Sequence, residues 1–476
     1  MNTTAQSIKR AVIAGEAVLL AWLLATEDLT AIAWLALGLF GVVVMAAISS
    51  ISWPLGALVV LTLASAMPRL AATVGGLHLR PEHVAIGLVV LALSWQALKR
   101  GGLPRLSLRA FDYCLLVYVG LNFLTSAVTS PQPHLTLRWA ALNALVVSPY
   151  FLVSWMVTDE NKLRRAFHVL LWVGAAESAF GILCFLSNRL FQTSVGVEAT
   201  QYGSMPGTFG TQYEANLFGS YTACCAIMFL AAFMFGEKSS RPVYTFGLVM
   251  TMLASLISLA RSVLLALPVA ALFVIVMALK RRQLQLRRLV PLAIGFAVVV
   301  LTVSPFVLGF VRERFSTIDP SELGSDATTL TRIVQMAVAA EDVQAHPILG
   351  TGTASFQLFF DWDDYIPAMK GESEAGGWVG NTPLRILHDT GVVGLAIFLL
   401  FLGFLARGVQ KAIRIASPQT QTVLIALAAG LLLYAITFQA TEATILAFTW
   451  VHLGLIAAAV RLVKRPHSIS EASPSQ

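Results

Sequence analysis

Long apolar runs, separated by short polar or charged segments, occupy most of the chain. Apolar residues follow one another within these runs and do not alternate with polar ones, which favours helices over β-strands. A helix that crosses a lipid bilayer needs about 20 predominantly apolar residues, so the pattern predicts an all-α polytopic membrane protein with about 12–14 transmembrane helices. The candidate spans are 11–26, 30–48, 52–68, 83–98, 112–129, 138–157, 165–187, 215–236, 242–259, 262–279, 289–311, 391–406, 421–438 and 443–462.

The composition excludes a soluble fold. Apolar residues make up 57% of the 476 residues and charged residues only 12%, which is about half the charged share of an average soluble domain. So few charges cannot cover so much apolar surface in water, and lipid must solvate part of it. The cysteines all lie within apolar runs and form no C-x-x-C pair, so we interpret them as buried thiols. They are Cys114, Cys184, Cys224 and Cys225.

Most of the 32 lysines and arginines fall in every second loop between the predicted spans. Under the positive-inside rule those loops are cytoplasmic, and both termini are predicted to be cytoplasmic with them. Because the basic residues are distributed in short clusters between spans, the net charge of +7 indicates membrane orientation and not nucleic-acid binding. We therefore expect a multi-pass membrane protein with both termini on the cytoplasmic side.

The basic residues of the opposite side are almost all arginines, with Lys370 as the exception. The planar guanidinium forms two parallel hydrogen bonds with a phosphate, whereas a lysine is a point charge. An outer face rich in arginine therefore suggests a phosphate-bearing ligand. These arginines are Arg69, Arg80, Arg138, Arg189, Arg261, Arg312, Arg314, Arg332 and Arg385.

One loop on that side is much longer than the others and spans residues 312–390. Helical spacing of apolar residues predicts an amphipathic helix near 328–345 that ends at His346-Pro347. Residues 381–389 are predicted to form a short helix that leads back into the bilayer. The predicted division is an N-terminal transmembrane bundle at 1–311, a loop region at 312–390, C-terminal transmembrane helices at 391–465 and a cytoplasmic tail at 466–476.

Several residues of this side are candidates for chemistry, and each also has a structural interpretation. Arg261 lies between two apolar runs, where it either extends to the interface or binds a phosphate. His388 and Asp389 form either an acid/base pair or a cap before the next span. The carboxylates of 361–374, including Glu374, are further candidates for a general base, although solvated carboxylates are common in such loops. Glu177 is a carboxylate inside a predicted span, where charges usually have a function.

Four segments, taken in order around the long loop, resemble the O-antigen ligase and O-antigen polymerase superfamily of bacterial membrane glycosyltransferases. They are Gly207–Asn216 before one span, Ala260-Arg261-Ser262 at the start of another, Arg332 followed by His346–Gly352, and Asn381–Gly394. The resemblance covers roughly residues 200–465. It implies a GT-C-like architecture with a large periplasmic loop.

The resemblance also implies an activity and a set of partners. Such enzymes take a glycan linked to undecaprenyl diphosphate at the periplasmic face and join it to another lipid-linked glycan or to the lipid A core. No metal or cofactor is expected, since arginines hold the diphosphate. Chain-length regulators or other polysaccharide assembly proteins are possible further partners. The expected site comprises Arg261, Arg332 and Arg385 on the diphosphate, Asn216, Gly350, Gly352 and Asn381 on the substrate, and a base among His346, His388 and Glu374.

One departure from the family pattern bears on the reaction. Ligases of the family carry a histidine directly before the asparagine of the last segment, and this chain has Gly380 before Asn381. We therefore favour a surface-polysaccharide polymerase over a ligase. A transporter or flippase is a rival of another class, although internal repeats and broken midplane helices, which are typical of transporters, are not evident in the sequence.

Overall fold

The computed structural model describes residues 53–74, 77–100, 107–198, 207–281, 327–360 and 378–463. The predicted spans 11–26, 30–48 and 289–311 lie outside these residues, as do Arg312, Arg314, Lys370 and Glu374. Within the described residues the chain is almost entirely helical, with two short antiparallel hairpins, β1 (Ala72–Val74) with β2 (Leu77–Leu79) and β3 (Val197–Glu198) with β4 (Gly207–Thr208).

The helices follow the predicted apolar runs closely. They are α1 (Trp53–Ser65), α2 (Pro81–Arg100), α3 (Ala110–Val128), α4 (Pro133–Met156), α5 (Glu160–Phe191), α6 (Ala215–Phe235), α7 (Arg241–Ile257), α8 (Arg261–Lys280), α9 (Ala327–Ala345), α10 (Ser355–Phe359), α11 (Thr382–Ile415), α12 (Pro418–Thr437) and α13 (Ala447–Val463).

Eight of the described helices are long and apolar enough to cross a bilayer, namely α3 to α8, α11 and α12, with α7 counted from the short 3₁₀ turn at Lys238. The helices α1, α2 and α13 are shorter and also apolar. The prediction of an all-α polytopic membrane protein is confirmed. The amphipathic helix predicted near 328–345 is α9, and it ends at Ala345, directly before His346-Pro347.

Helix α6 lies at the centre of the bundle and packs against α5, α7, α8 and α12. Its large side chains Phe218 and Tyr221 are fully buried, as are the thiols of Cys224 and Cys225. Around this core, α13 packs on α4 and α11 packs on α3. Exposed apolar side chains on α7, α8 and α11 form the outer surface of the bundle, as expected where lipid replaces water.

At one end of the bundle a buried ion pair joins α3, α4 and α13. The Arg461 guanidinium contacts the Asp112 carboxylate, which also accepts hydrogen bonds from Tyr150 Oη and from the backbone N–H of Arg109, each at 2.7 Å. Arg461, which lies at the end of the predicted span 443–462, is only 6% exposed. Asp112 makes this burial tolerable because it supplies a charged partner within the protein.

At the opposite end, α11 breaks at Gly391, whose φ of 65° lies in the left-handed region. The predicted short helix at 381–389 and the predicted span at 391–406 are therefore the two halves of one kinked helix. Segment 347–352 lies against the break and replaces the hydrogen bonds that the helix loses there. These bonds run from Thr351 N to His388 O (2.9 Å), from Gly352 N to Asp389 O (3.0 Å) and from Val392 N to Pro347 O (2.9 Å).

The break leaves no room for a side chain at Gly391, because an added Cβ would overlap the carbonyl group of Ile348. Gly391→Ala is therefore expected to destabilise the protein by about 2 kcal/mol or more, from the left-handed backbone and the displaced segment together. Thermal unfolding of the purified protein in detergent measures this. Gly403→Ala is the matched control, since that glycine lies in the same helix with nothing within 4 Å of an added Cβ. Equal melting temperatures for the two variants would contradict the account.

Candidate functional site

Five arginines from separate segments meet at the end of the bundle that contains the α11 break, and we call this the arginine-rich end. Arg69 follows α1, Arg80 precedes α2, Arg261 begins α8, Arg332 lies on α9 and Arg385 on α11. All five were among the arginines that the sequence places on one side of the membrane. The loop 438–446, between α12 and α13, is the element that connects several of them.

Loop 438–446 presents backbone carbonyl groups to side chains from three other segments. Arg332 donates to the carbonyl of Ala440, and Arg80 Nη2 donates to that of Ile445 at 3.1 Å. The first residues of α11 are attached to the same loop. Asn381 Nδ2 donates to Gln439 O and Thr382 Oγ1 donates to Thr441 O, each at 3.0 Å. The sequence analysis predicted only residues 439–442 as a loop, because it placed 443–446 at the start of the last span.

Arg332 is partly exposed, and its acidic partner is distant. Its Nη2 lies 4.0 Å from Glu214 Oε2, and the two side chains are 28% and 38% exposed. Glu214 also accepts a hydrogen bond from Thr441, which fixes the carboxylate against loop 438–446. A carboxylate at this distance is a weak partner that an incoming phosphate could replace.

Arg385 has a different environment, because it is buried between two carboxylates. Its Nε lies 3.3 Å from Asp389 Oδ2 and its Nη1 lies 2.9 Å from Glu442 Oε1. The Glu442 carboxylate is held in turn by the backbone N–H of Thr444 at 2.6 Å. Arg385 thus satisfies two buried acids, and its predicted role as a diphosphate ligand stays a prediction. Glu442 was missed, since a single carboxylate at the edge of an apolar run gives little local signal.

His388 lies beside this cluster and is 1% exposed. Its Nδ1 is 3.1 Å from Asp389 Oδ1 and its Nε2 is 3.1 Å from Asp342 Oδ2. Both ring nitrogens therefore face carboxylates, which suits an imidazolium that donates two hydrogen bonds. The predicted proximity of His388 and Asp389 is present, while Asp342 on α9 is a partner that the sequence did not indicate. His346, the other predicted histidine, lies at the exposed end of α9.

The two predicted substrate-binding glycines pack against protein backbone and have positive φ values of 70° for Gly350 and 96° for Gly352. An added Cβ at Gly350 would overlap the backbone of residues 388–390, and one at Gly352 would lie 3.1 Å from the Cβ of Ser130. These positions require glycine for close approach of segment 347–352 to its neighbours. The prediction that they contact substrate stays open beside this packing role.

The two predicted asparagines begin helices. Asn381 is the N-cap of α11, where its Oδ1 accepts a hydrogen bond from Leu384 N at 2.8 Å. Asn216 lies half-buried in the first turn of α6. Their assignment to substrate stays a prediction.

Arg261 is placed by a tight turn between α7 and α8. Leu259 adopts a left-handed φ of 59°, and Ala260 N donates to Ser258 Oγ at 3.3 Å. An added Cβ at Gly219 of α6 would overlap the Ser258 hydroxyl and approach the Ala260 side chain. The start of α8 therefore lies beside the first turns of α6, close to where Glu214 caps that helix. Arg261 is half-buried there.

The intramembrane carboxylate Glu177 holds segment 207–214 against the bundle. It accepts a hydrogen bond from Thr211 N at 2.9 Å, and its other oxygen lies 2.8 Å from Thr211 Oγ1. The same hydroxyl is 2.8 Å from the carbonyl oxygen of Ala66. Glu177 thus has a positioning role, because this segment carries Phe209, over which the Arg69 guanidinium stacks at 4.0 Å.

Glu198 of β3 is a further acidic residue that the sequence did not single out. Burial raises the pKa of its carboxyl to about 7, and the negative charge of Glu214 adds to the rise. The guanidinium groups of Arg69 and Arg332 oppose that rise, so the carboxyl lies within electrostatic range of both. Burial likewise lowers the pKa of Arg69, and Glu198 opposes that shift. A carboxyl that titrates near neutral pH between two cations is suited to accept a proton.

No group of three or more histidine, cysteine, aspartate or glutamate side chains within the described residues is arranged to hold a metal ion.

Residues 246–399 match the model of a family described as "O-Antigen ligase", while a search of curated proteins found no match. The matched range contains three of the four segments on which the resemblance rests, and segment 207–216 lies outside it. Residues 246–399 of this multi-pass membrane protein are thus similar to the O-antigen ligase family, whose members are glycosyltransferase-like enzymes, and the match supports the resemblance to the O-antigen ligase and polymerase superfamily.

Proposed function

We propose that the protein joins a glycan carried on undecaprenyl diphosphate to an acceptor at the periplasmic face of the inner membrane, and that it is a polymerase of a surface polysaccharide. The observation that carries the proposal is the arginine-rich end, in which Arg332 is paired with a half-exposed carboxylate and not with a buried one. The family match supports glycosyl transfer of the ligase or polymerase type.

In the proposed reaction an acceptor hydroxyl attacks the anomeric carbon of the donor sugar. The bond from that carbon to the diphosphate oxygen breaks, and negative charge grows on the leaving group. Fixed cations beside the leaving group stabilise this charge in the transition state. We assign this role to Arg332, which would exchange Glu214 for the diphosphate, together with Arg261. No metal is required in this scheme, because the guanidinium groups provide the neutralising charge.

The acceptor hydroxyl must also lose its proton to a base. Glu198 is our preferred base, since its carboxyl lies within electrostatic range of Arg332 and its pKa is raised to about 7. His346, His388 and Glu374 are the bases that the sequence suggests. Glu374 lies outside the described residues, and both ring nitrogens of His388 face carboxylates, so Glu198 has better support from the structure.

The proposal places the arginine-rich end and the loop region 312–390 in the periplasm, with both termini in the cytoplasm. The distribution of lysine and arginine along the chain supports this orientation. The choice of polymerase over ligase rests on Gly380, which occupies the position of the ligase histidine. A chain-length regulator would then be a natural partner of the enzyme.

Arg332→Ala is expected to abolish chain lengthening in cells, because loss of one cation at a developing negative charge costs about 10²–10³ in rate. The measurement is a gel of the surface glycan, with membrane protein level followed by immunoblot. Arg138→Ala is the matched control, since Arg138 is an exposed arginine near the start of α4, outside the group that surrounds Arg332. Long chains in the Arg332→Ala strain at a normal protein level would contradict the proposal.

Deletion of the gene separates the polymerase from the ligase. Loss of a polymerase is expected to leave single repeat units on the cell surface or on the lipid carrier. Loss of a ligase would instead leave long polymer attached to undecaprenyl diphosphate and none on the lipid A core. Extraction of the lipid-linked fraction followed by sizing of its glycan measures this, and long polymer in that fraction would favour the ligase.

The raised pKa of the Glu198 carboxyl predicts a pH dependence of the transfer rate. A carboxyl accepts a proton only when it is ionised, so a raised pKa of about 7 makes the rate rise with pH below neutrality and level off above it. The measurement is glycan transfer by right-side-out or permeabilised membranes between roughly pH 5.5 and 8.5. Glu198→Gln should lose most of the rate, and the residual rate should no longer rise through neutral pH. An unchanged profile in this variant would exclude Glu198 as the base.

A further inference from the structure

Helix α9 carries two charged side chains that contact the bundle at different places. Arg332 lies near its start and contacts Glu214 and the Ala440 carbonyl, and Asp342 lies near its end and contacts His388. The two residues are ten positions apart, which corresponds to about 15 Å along a helix. Arg332, Ala339 and Asp342 recur at spacings that place them on one broad face of α9. The helix is thus attached at both ends through charged groups.

The apolar packing that the structure describes beneath α9 is small. The side chains that α9 contributes to it are Ala339 and Val338, which pack with Phe356, Phe360, Val379 and Leu384. Two larger apolar side chains of the helix, Ile333 and Met336, are exposed instead. Burial of a few small side chains contributes only a few kcal/mol in general. The polar contacts at the two ends must therefore account for much of the position of α9.

The contact at the His388 end is made with a fixed part of the fold. The His388 ring lies edge-on to the Phe356 ring, with centroids 5.5 Å apart, and its Nδ1 faces Asp389 at 3.1 Å. Asp389 is itself held by Arg385 at 3.3 Å and by the backbone N–H of Ala354 at 3.1 Å. The His388 ring is therefore held by several contacts at the break of α11. Asp342 is the exposed partner, since its side chain is 46% exposed while that of His388 is 1% exposed.

We propose that Asp342 and His388 are a positioning pair that holds α9 against the break of α11 and thereby sets the place of Arg332 at the arginine-rich end. Neither residue needs to touch the substrate in this role. The inference rests on the proposed function, because it takes Arg332 as a ligand of the donor diphosphate. It also gives His388 a part in the reaction that acts through Arg332 and not through proton transfer.

Distance measurements on the full-length protein test whether Asp342 and His388 hold α9 against the break of α11. Spin labels are placed at Met336→Cys on α9 and Val392→Cys on α11, both exposed positions, with Cys114 changed to alanine because the other three cysteines are buried. With Asp342 and His388 unaltered, the two labels should give a narrow distance distribution. Asp342→Asn should broaden it, and Asp342→Glu should keep it narrow because the carboxylate is retained. Glu341→Gln, an exposed neighbour on the same helix, is the control and should change nothing.

Binding of undecaprenyl diphosphate to the protein in detergent tests whether the Asp342–His388 contact sets the place of Arg332. Asp342→Asn should raise its Kd about tenfold, as expected when a residue outside the binding site misplaces one inside it. Asp342→Glu and Glu341→Gln should bind as the unaltered protein does. A narrow distance distribution in Asp342→Asn would overturn the proposal, whatever the Kd.

Arg332→Ala separates a failure of this inference from a failure of the proposed function. If Arg332→Ala weakens binding and Asp342→Asn does not, the positioning claim is wrong and the diphosphate role stands. If Arg332→Ala leaves the Kd unchanged, the diphosphate role is wrong. The distance distribution of Asp342→Asn then decides alone whether the pair holds α9.

Discussion

A charge next to lipid is stable only if the protein supplies a partner for it, and this constraint organises the whole arginine-rich end. Arg385 has two buried carboxylates, Arg80 has a backbone carbonyl and an acidic neighbour, and Arg69 has an aromatic ring. Arg332 differs, because its acidic partner is 4.0 Å away and partly exposed. The fold thus pairs Arg80 and Arg385 closely with buried carboxylates, whereas the carboxylate beside Arg332 can be replaced. An arginine with a replaceable partner makes this end of the bundle suitable for an anionic ligand.

The same constraint explains the irregular backbone at this end. Segment 347–352 gives the broken turn of α11 the hydrogen bonds that a continuous helix would have made, and glycines allow the two backbones to touch. Irregular backbone near a membrane survives only where protein or water satisfies it. The break in turn places His388 and Asp389 beside α9. Backbone geometry, charge pairing and the position of Arg332 are therefore linked in one arrangement.

The sequence alone predicted the spans well, because each apolar run of about 20 residues has one stable conformation in lipid. It also placed the five arginines on one side, since charge distribution sets orientation. The sequence could not predict which side chains of distant segments pair with one another. Nothing local shows that Asp342 meets His388, that Glu442 meets Arg385, or that Arg461 is buried against Asp112. The role of loop 438–446 was missed for the same reason, as it binds distant segments through backbone carbonyl groups and through the side chains of Thr441 and Glu442.

The account depends on the arginine-rich end facing the periplasm, where a lipid-linked glycan is available for polymerisation. Labelling of Met336→Cys in intact cells with a membrane-impermeant thiol reagent tests this most directly, because Met336 is an exposed residue of α9. The account predicts that the cysteine is labelled without disruption of the inner membrane. Labelling that appears only after the inner membrane is opened would place α9 and the arginines in the cytoplasm and would contradict it.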